Sequence, residues 1–449
     1  MKQLRRNVMM ISTDQQQAKA MGCIDSSYYT PNLNRLAKKS VSFTGAISTS
    51  AQCTPSRASW MTGKFPHQVG VYQIGHILDP QEWSIAKEFN RAGYETVYFG
   101  KWHLGLSPAD HQFAVTDYRT DGMQLAGANE DPRFHSNKDA VTTAKALNYL
   151  QDYDGAQPFF MKLCWYMPHP NAPTDGPFEL IDRYAEHFPL QDMPVPASFY
   201  QDDLSGKPAF QQERSETGES ALTEQIVRRD AQRYRTMLAL LDSYLGQLLD
   251  KLEAKQLLDQ TVILFTSDHG DMQGAHRLRL KGVLPYKELY NVPLLLYVPG
   301  MRPKRNVIAD LVSTAAIPGT LLAAAGITLP KECEGGTLMP ALERNQASED
   351  EHVFFEHYKA YWGRHPLIGI QTKAWKYIYY IDDQVEEMYD LQHDPDEIVN
   401  IAGQQQVEQV RLRLKQTVEQ WWTSTGGFSK APIEDQTSPW ITNKVKHNR

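Results

Sequence analysis

The chain has 449 residues, more than one hydrophobic core usually organises, so its length predicts a large domain and a smaller one. Hydrophobic residues make up 41% of the sequence and charged residues 22%, which is ordinary for a globular protein. The net charge of -7 at pH 7 gives neither the basic footprint of a nucleic-acid binder nor an attraction to anionic membranes, so we expect neither partner.

The first residues contain no recognisable targeting signal. Lys2 and Arg5 resemble the charged start of a signal peptide, but the apolar run at 8–11 is too short for one and fits a first strand. No stretch approaches the length of a transmembrane helix. The 4 cysteines are scattered, and setting Cys53 aside leaves an odd number, which argues against a disulfide framework. We therefore expect a cytoplasmic protein.

The first two thirds of the chain alternate short apolar runs with helical patterns, which is typical of an α/β domain with a largely parallel sheet. Buried strands are predicted at 8–12, 95–99, 158–165 and 261–267. Helices are predicted at 31–39, 82–91, 139–150 and 223–254. The pattern fails between 171 and 220, where proline, aspartate, glutamine and serine accumulate, and we expect a long surface excursion near the active-site rim.

The last hundred residues have a different character. Strands are predicted at 352–357, 368–381 and 386–391, followed by an amphipathic helix at 407–422. We therefore predict a catalytic domain at 1–345 and a small C-terminal α+β subdomain at 346–449, divided at a polar segment.

Each of the four predicted strands in the first domain ends in chemically reactive side chains. They are followed by Asp14 and Gln15, by Lys101 and His103, by His169, and by Asp268 and His269, respectively. Ligands of open α/β sheets bind outside the carboxyl ends of the strands. A single carboxylate after a strand is often only the N-cap of the next helix, but four such ends together are hard to assign to capping.

A second signal is the run Cys53-Thr54-Pro55-Ser56-Arg57, at a predicted helix start with Pro55 near the first helical position. It resembles the signature of the type I sulfatases, in which this cysteine is oxidised to formylglycine and becomes the nucleophile. The motif alone is moderately specific, because a small buried cysteine before a helix is common.

The remaining motifs extend this resemblance to nearly the whole chain. The segments that match are 100–105 (GKWHLG), 168–170 (PHP), 267–271 (SDHGD), Lys281 and 387–395 (EMYDLQHDP). Together they resemble the sulfatase branch of the alkaline-phosphatase-like superfamily. The resemblance implies a large, mostly parallel sheet flanked by helices, a smaller C-terminal α+β domain, and hydrolysis of sulfuric esters.

The resemblance also implies a divalent cation. Asp14, Asp268 and His269 would hold it together with residue 53, and Gln15 is a further candidate ligand. Oxygen ligands suit Ca²⁺, and the histidine nitrogen keeps Mn²⁺ and Mg²⁺ as alternatives. A formylglycine-generating maturation enzyme would be a partner.

The other catalytic roles are carried over in the same way. Arg57 would pair with the acidic ligands, although an exposed helical arginine is the commoner case. Lys101 and His103 would bind the sulfate and the nucleophile, with the histidine taking the proton that expels sulfate. His169 and Lys281 would bind the sulfate and protonate the leaving oxygen, with Arg277, Arg279 and Lys287 as alternatives to Lys281.

Gln15 departs from the family pattern, which often has a second aspartate there. Aspartate–glutamine with aspartate–histidine also occurs in choline sulfatases and phosphonate monoester hydrolases, so the ester class stays open. The phosphonate branch lacks the pair found here at Lys101 and His103, which ranks sulfate monoesters first and phosphonate or phosphodiester substrates second. A chain that is never matured would bind a sulfated ligand without turnover.

Substrate identity depends on loops. Candidate contacts are His67, Gln68 and His76 after the signature helix, and Trp362, Arg364 and His365 in the subdomain. A tryptophan beside arginine and histidine suits an anionic sugar, although a structural aromatic with surface charges is as common. We expect a sulfated mono- or short oligosaccharide, because a cytoplasmic location implies prior uptake of the substrate. Choline sulfate is the alternative, and it would need an aromatic cage, for which the sequence shows no clear set of residues. The sequence leaves homo-oligomers open.

Overall fold

The computed structural model describes residues 5–119, 138–170, 184, 186–217, 222–344, 352–360 and 363–434. In chain order the strands are β1 (Asn7–Asp14), β2 (Val41–Ile47), β3 (His76–Ile77), β4 (Glu95–Lys101), β5 (Val115–Arg119), β6 (Phe159–Pro168), β7 (Thr261–Ser267), β8 (Leu294–Tyr297), β9 (Val307–Ser313), β10 (His352–Ala360), β11 (Gly363–Thr372), β12 (Trp375–Tyr380), β13 (Val385–Asp390) and β14 (Ile433–Glu434). The helices are α1 (Pro31–Lys39), α2 (Cys53–Thr62), α3 (Ile85–Arg91), α4 (Lys138–Asp152), α5 (Ala197–Gln201), α6 (Ala209–Thr217), α7 (Glu224–Ala254), α8 (Lys287–Tyr290), α9 (Ile317–Ala324), α10 (Met339–Glu343) and α11 (Glu408–Ser424).

The main sheet has eight strands in the order β5–β4–β6–β1–β7–β8–β2–β9. Only β8 runs against the others, because it pairs antiparallel with both β7 and β2 while the remaining pairs are parallel. The predicted fold class, a large and mostly parallel sheet flanked by helices, is confirmed.

Strand β1 lies at the centre of the sheet and is buried at every position. Its alternate residues face opposite sides: Val8 and Met10 belong to the core on one face, and Met9 and Ile11 to the core on the other. The long helix α7 covers the second face with leucines at helical spacing. It begins where the Thr223 side chain accepts a hydrogen bond from the amide of Ile226.

The C-terminal part contains a four-stranded antiparallel sheet in the order β10–β11–β12–β13. Ile368 and Ile370 on one face pack against Leu414 and Val418 of α11. The opposite face shares a core with the main domain, which includes Phe355 together with residues of β2 and α8. The division that we place between residues 345 and 346 lies outside the described residues and stays a prediction.

Several predicted bounds differ from the structure. The single strand predicted at 368–381 is a hairpin, β11 and β12, because Thr372 closes a tight turn by accepting hydrogen bonds from the amides of Ala374 and Trp375. The helix predicted from 82 begins at Ile85, since the Ser84 side chain caps it. The described part of the excursion at 171–220 contains α5 and α6. Among the described residues, no helix has the length and apolar character needed to cross a bilayer.

Candidate active site

The site lies at the carboxyl edge of the main sheet, where four elements converge. Asp14 is the last residue of β1, Lys101 is the last residue of β4, and Asp268 and His269 directly follow β7. Cys53 is the first residue of α2, whose positive dipole end therefore faces the same edge. The structure thus brings together side chains that are up to 255 positions apart in the sequence, because β4, β1 and β7 lie within four consecutive parallel strands of one sheet.

Two buried carboxylates are cross-linked by an arginine. Arg57 Nε lies 2.9 Å from Asp268 Oδ2, and Arg57 Nη2 lies 3.2 Å from Asp14 Oδ2. Lys101 Nζ lies 2.7 Å from Asp14 Oδ2. Burial alone would raise the pKa of Asp14, but the charges of Lys101 and the other nearby cations lower it well below its usual value. Arg57 is itself 1% exposed, so it is a buried side chain paired with two carboxylates rather than an exposed helical arginine.

The Cys53 thiol lies in a strongly positive environment. Its Sγ atom lies 2.8 Å from Lys281 Nζ, 3.3 Å from His269 Nε2 and 4.0 Å from Lys101 Nζ. Burial and the charge of Asp14 raise the pKa of the thiol, but these three positive groups outweigh them and lower it well below its usual value. A negatively charged group at this position is therefore stabilised, whether it is a thiolate or a bound anion.

Four buried side chains could hold a metal ion. The candidate ligand atoms of Asp14, Cys53, Asp268 and His269 all lie within 4.8 Å of one another. His269 Nδ1 lies 2.8 Å from the carbonyl oxygen of Gly270, which leaves Nε2 facing the group. Burial and the charge of Asp14 raise the pKa of Asp268, so the two carboxylates repel each other in the absence of a further positive charge. The donor set fits a divalent cation.

Lys281 reaches the thiol from a loop rather than from a strand. The backbone of this loop is left-handed at Gln273, His276, Arg277 and Leu280, with φ between 47° and 61°, an arrangement that only the surrounding contacts can hold. One such contact is His276 Nδ1 to Asp202 Oδ2 at 2.6 Å, and Asp202 also pairs with Lys207. The sequence did not indicate this anchor, since Asp202 lies 74 positions away in the excursion.

The three alternatives to Lys281 lie in other contacts. Arg277 Nε donates to the carbonyl oxygen of Phe199, Arg279 pairs with Asp230 at 2.7 Å, and Lys287 pairs with Asp396. Lys281 is the member of this set that contacts Cys53.

His103 and His169 lie at the rim, where both are partly exposed. His103 has φ of 60°, so the segment after β4 is not extended, and the spacing of two residues does not by itself put His103 on the same face as Lys101. His169 follows Pro168 at the end of β6, close enough for its charge to lower the pKa of Asp14.

The candidate substrate contacts after α2 are engaged within the protein. His67 is 0% exposed, with Nδ1 at 2.6 Å from Glu356 Oε2 and Nε2 at 2.8 Å from Thr425 Oγ1. Gln68 Nε2 donates to Glu334 Oε2 at 2.7 Å, and His76 Nδ1 accepts from the amide of Tyr72 at 3.2 Å. The ring of His67 therefore joins the main domain to the subdomain instead of facing a substrate.

Two of the subdomain candidates, Arg364 and His365, lie on β11, which pairs with β10. Trp362 falls outside the described residues. Arg364 pairs with Asp382 at 2.9 Å on the surface. His365 stacks on Phe210 with 3.9 Å between ring centroids.

Comparisons with known proteins agree on one family. A model of the sulfatase family matches residues 6–327, and a model of the N-sulphoglucosamine sulphohydrolase C-terminal region matches residues 274–423. An N-acetylglucosamine-6-O-sulfatase of Bacteroides thetaiotaomicron is 27% identical over 93% of this chain and 86% of its own length. A choline-sulfatase of Rhizobium meliloti is 27% identical over 98% of this chain and 91% of its own length.

Solved structures show the same fold. A protein in complex with its substrate D-glucosamine-2-N,6-O-disulfate superposes with a TM-score of 0.80 at 22% identity, covering 97% of this chain and 100% of that one. A phosphonate monoester hydrolase of Agrobacterium radiobacter superposes with a TM-score of 0.76 at 22% identity, covering 94% and 96%. At these identities the likeness concerns the fold, and the ester class has to come from the site.

Proposed function

The chain belongs to the sulfatase family and is a sulfuric ester hydrolase, and from this premise we propose that it hydrolyses an O-sulfated carbohydrate with a nucleophile made from Cys53. The observation that carries the proposal is the environment of Cys53: a buried side chain at a helix start, 2.8 Å from Lys281 Nζ and 3.3 Å from His269 Nε2. A thiol needs no such setting in order to pack. A group that attacks a sulfate does, because it and its substrate are both negatively charged.

We further propose that Cys53 is converted to formylglycine by a maturation enzyme, and that Asp14, Asp268, His269 and residue 53 hold Ca²⁺, with Mn²⁺ and Mg²⁺ as alternatives. The aldehyde would supply the attacking oxygen as its hydrate, and the cation would favour the ionised form of that oxygen and offset charge on the sulfate. Arg57 fixes both carboxylates, so the two acidic ligands cannot turn away from the cation.

The remaining polar side chains account for substrate binding and proton transfer. Lys101 Nζ and Lys281 Nζ lie 4.0 and 2.8 Å from the Cys53 sulfur, where they would contact the sulfate oxygens. An alcohol is a poor leaving group, so protonation by His169 or Lys281 would speed the reaction by about 10²–10⁴. His103 would accept the proton that accompanies sulfate release.

The carbohydrate is supported by relatives whose names include an N-acetylglucosamine-6-O-sulfatase and an ulvan-active sulfatase of Formosa agariphila. Of the predicted substrate contacts that the structure describes, Arg364 is linked through the backbone of its partner strand to the residue that precedes Cys53. It pairs in register with Lys359, whose carbonyl oxygen accepts a hydrogen bond of 3.1 Å from Gln52 Nε2, directly before Cys53. We therefore keep Arg364 as a candidate contact to an anionic sugar, together with its neighbour His365 and with Trp362.

A second candidate function is phosphonate monoester or phosphodiester hydrolysis. Gln15 favours it, because glutamine in place of aspartate lowers the negative charge next to the reacting group. The cytoplasmic location stays a prediction from the sequence, and a homo-oligomer stays open.

A substrate panel tests the proposal. The protein, co-expressed with a formylglycine-generating enzyme, would be assayed with 4-nitrophenyl sulfate, choline sulfate, sulfated mono- and disaccharides and a phosphonate monoester. We expect the highest kcat/KM for a sulfated sugar, and Cys53→Ala prepared in parallel controls for contaminating sulfatases. A faster reaction with the phosphonate would favour the second candidate function over sulfate ester hydrolysis. A preference for choline sulfate would show that the substrate is a sulfate ester but not a carbohydrate.

A further inference from the structure

Gln15 lies against the candidate metal group and is fixed there by its backbone. Its amide donates to Asp268 Oδ1 at 3.1 Å, and its carbonyl oxygen accepts from the Tyr234 hydroxyl at 2.9 Å. The residue has φ of 74° and is 0% exposed. A left-handed glutamine is strained, so these contacts hold the side chain in a defined place beside Asp268.

The two ends of the Gln15 amide have unequal surroundings. Nε2 donates to Asp271 Oδ2, whereas Oε1 is buried and has no hydrogen-bond partner among the described residues. Leaving a buried acceptor unsatisfied costs about 1–3 kcal/mol. The geometry therefore indicates a positively charged or hydrogen-bond-donating group at Oε1 that is not a protein side chain.

Asp271 determines which end of the amide faces it. Its Oδ1 accepts from the backbone amide of Gln273 at 2.8 Å and from Gln273 Nε2 at 2.9 Å, and its Oδ2 faces Gln15. A carboxylate has only acceptors, so the NH₂ end of Gln15 must turn toward it and the oxygen must turn away.

We infer that Asp271 is a positioning residue that orients the Gln15 amide so that Oε1 serves as a neutral oxygen ligand of the cation held by Asp14, Asp268 and His269. The inference rests on the metal site of the proposed function. It gives a role to Asp271, which lies 256 positions from the residue that it orients. Replacing a residue that holds a metal ligand in its orientation commonly changes metal affinity by about 10- to 100-fold.

The variant Asp271→Asn tests the orientation with little change of shape. Its single carbonyl oxygen is required by the backbone amide of Gln273, which cannot rotate, so the new NH₂ must face Gln15. The Gln15 amide then turns to accept from it and presents its own NH₂ to the cation. Calorimetric titration of chelator-treated protein with CaCl₂ should show a Kd for Ca²⁺ about 10- to 100-fold higher than that of the chain without the substitution. Both proteins are prepared with residue 53 in the same form.

A double variant separates orientation from damage. In Gln15→Glu/Asp271→Asn, one glutamate oxygen accepts from the asparagine NH₂ and the other faces the cation, so Ca²⁺ binding should return to at least the original affinity. Gln273→Ala is the matched control, because it removes a side-chain contact of Asp271 but keeps the backbone donor, and its Kd should change by less than about threefold.

Three results would overturn the inference. An Asp271→Asn protein that binds Ca²⁺ as tightly as the chain without the substitution would show that the carboxylate does not determine the orientation of the Gln15 amide. Failure of the double variant to recover binding would assign the loss to local damage. If the unmodified chain itself binds none of Ca²⁺, Mn²⁺ or Mg²⁺, the metal part of the proposed function fails as well, and the titration distinguishes that case because turnover plays no part in it.

Discussion

Two regions of this molecule bury histidines and carboxylates, and they use them differently. Around Cys53, the lysine and histidine nitrogens converge on one sulfur atom. At the interdomain contact formed by His67, Glu356 and Thr425, each ring nitrogen of the histidine has its own protein partner. The first arrangement concentrates positive charge where an anion can bind, whereas the second satisfies every polar group and holds two parts of the chain together.

The comparison teaches how to separate a reactive cluster from a structural one. His67 and Glu356 are as fully buried as Cys53 and His269, so burial does not distinguish the two regions. The difference lies in how the polar atoms are paired. In the first region several nitrogens share one atom, Cys53 Sγ, whereas in the second each His67 ring nitrogen has a separate partner. Substitutions in the first region should therefore change turnover, and substitutions in the second should change stability.

The largest effect is expected for Cys53→Ala. Removing the nucleophile should lower kcat for the best sulfated substrate by at least about 10³-fold. Thermal unfolding should shift little, because the loss is one sulfur atom in a site that keeps its Arg57 cross-link. Steady-state assays and calorimetry on the same preparation measure both quantities. Hydrolysis at the original rate would show that the converging charges do not mark the nucleophile.

Lys281→Gln sharpens the claim that the loop supplies a catalytic cation. We expect kcat/KM to fall by about 10²–10³, since the variant removes one charged donor from the site. The matched control is Arg279→Gln in the same loop, where the charge pairs with Asp230 on the surface and the change should stay within about threefold. Equal losses in the two variants would mean that general loop disruption, rather than the contact at 2.8 Å, is responsible.

His67→Ala addresses the interdomain contact. The variant leaves Glu356 Oε2 without the ring nitrogen that pairs with it, while the backbone amide of residue 67 still donates to Oε1, so the free energy of unfolding should fall by about 3 kcal/mol. Denaturant unfolding gives this value, and kcat/KM of the folded enzyme should stay within about threefold. A raised KM at unchanged stability would contradict the comparison and restore His67 as the substrate contact that the sequence predicted.

The last prediction concerns the pH dependence of stability. Burial lowers the pKa of His357 from 6.5 to about 3, so the unfolded chain takes up a proton in this range and the folded one does not. Stability from this residue is complete above pH 6.5 and is lost as the pH falls toward 3, at about 1.4 kcal/mol per pH unit. His357→Gln cannot titrate, and its unfolding free energy should fall less steeply between about pH 6 and pH 4.

If the unfolding free energies of His357→Gln and of the chain without the substitution fall equally with pH, His357 takes up its proton in the folded state as well. Such a result would also mean that its surroundings, which include the charges of His269 and Lys281, tolerate another cation.

The sequence predicts the positions of the strand-end residues well, because the topology of the sheet determines where they lie. Once 8–12, 95–99 and 261–267 are buried parallel strands, Asp14, Lys101 and Asp268 have to meet at one edge. Turn chemistry limits the rest: the turn between β11 and β12 contains no glycine, proline or asparagine, so the hairpin was predicted as one strand.

Contacts between residues that are far apart in the sequence and do not both directly follow a strand of the main sheet could not be predicted in this way. Glu356 lies 289 positions from His67, and Asp271 lies 256 positions from Gln15. Neither acid has a neighbour in the sequence that indicates its partner, and a histidine after a signature helix fits a substrate pocket as well as an interdomain contact. Only the packing of the subdomain against the main domain distinguishes the two.

Mass spectrometry of the peptide that contains residue 53 tests the central claim most directly. In protein matured with a formylglycine-generating enzyme, the account predicts a peptide about 18 Da lighter than its cysteine form, with sulfate ester turnover proportional to the converted fraction. Full turnover by protein in which Cys53 remains a thiol would contradict the account, as would complete conversion without hydrolysis of any sulfate ester.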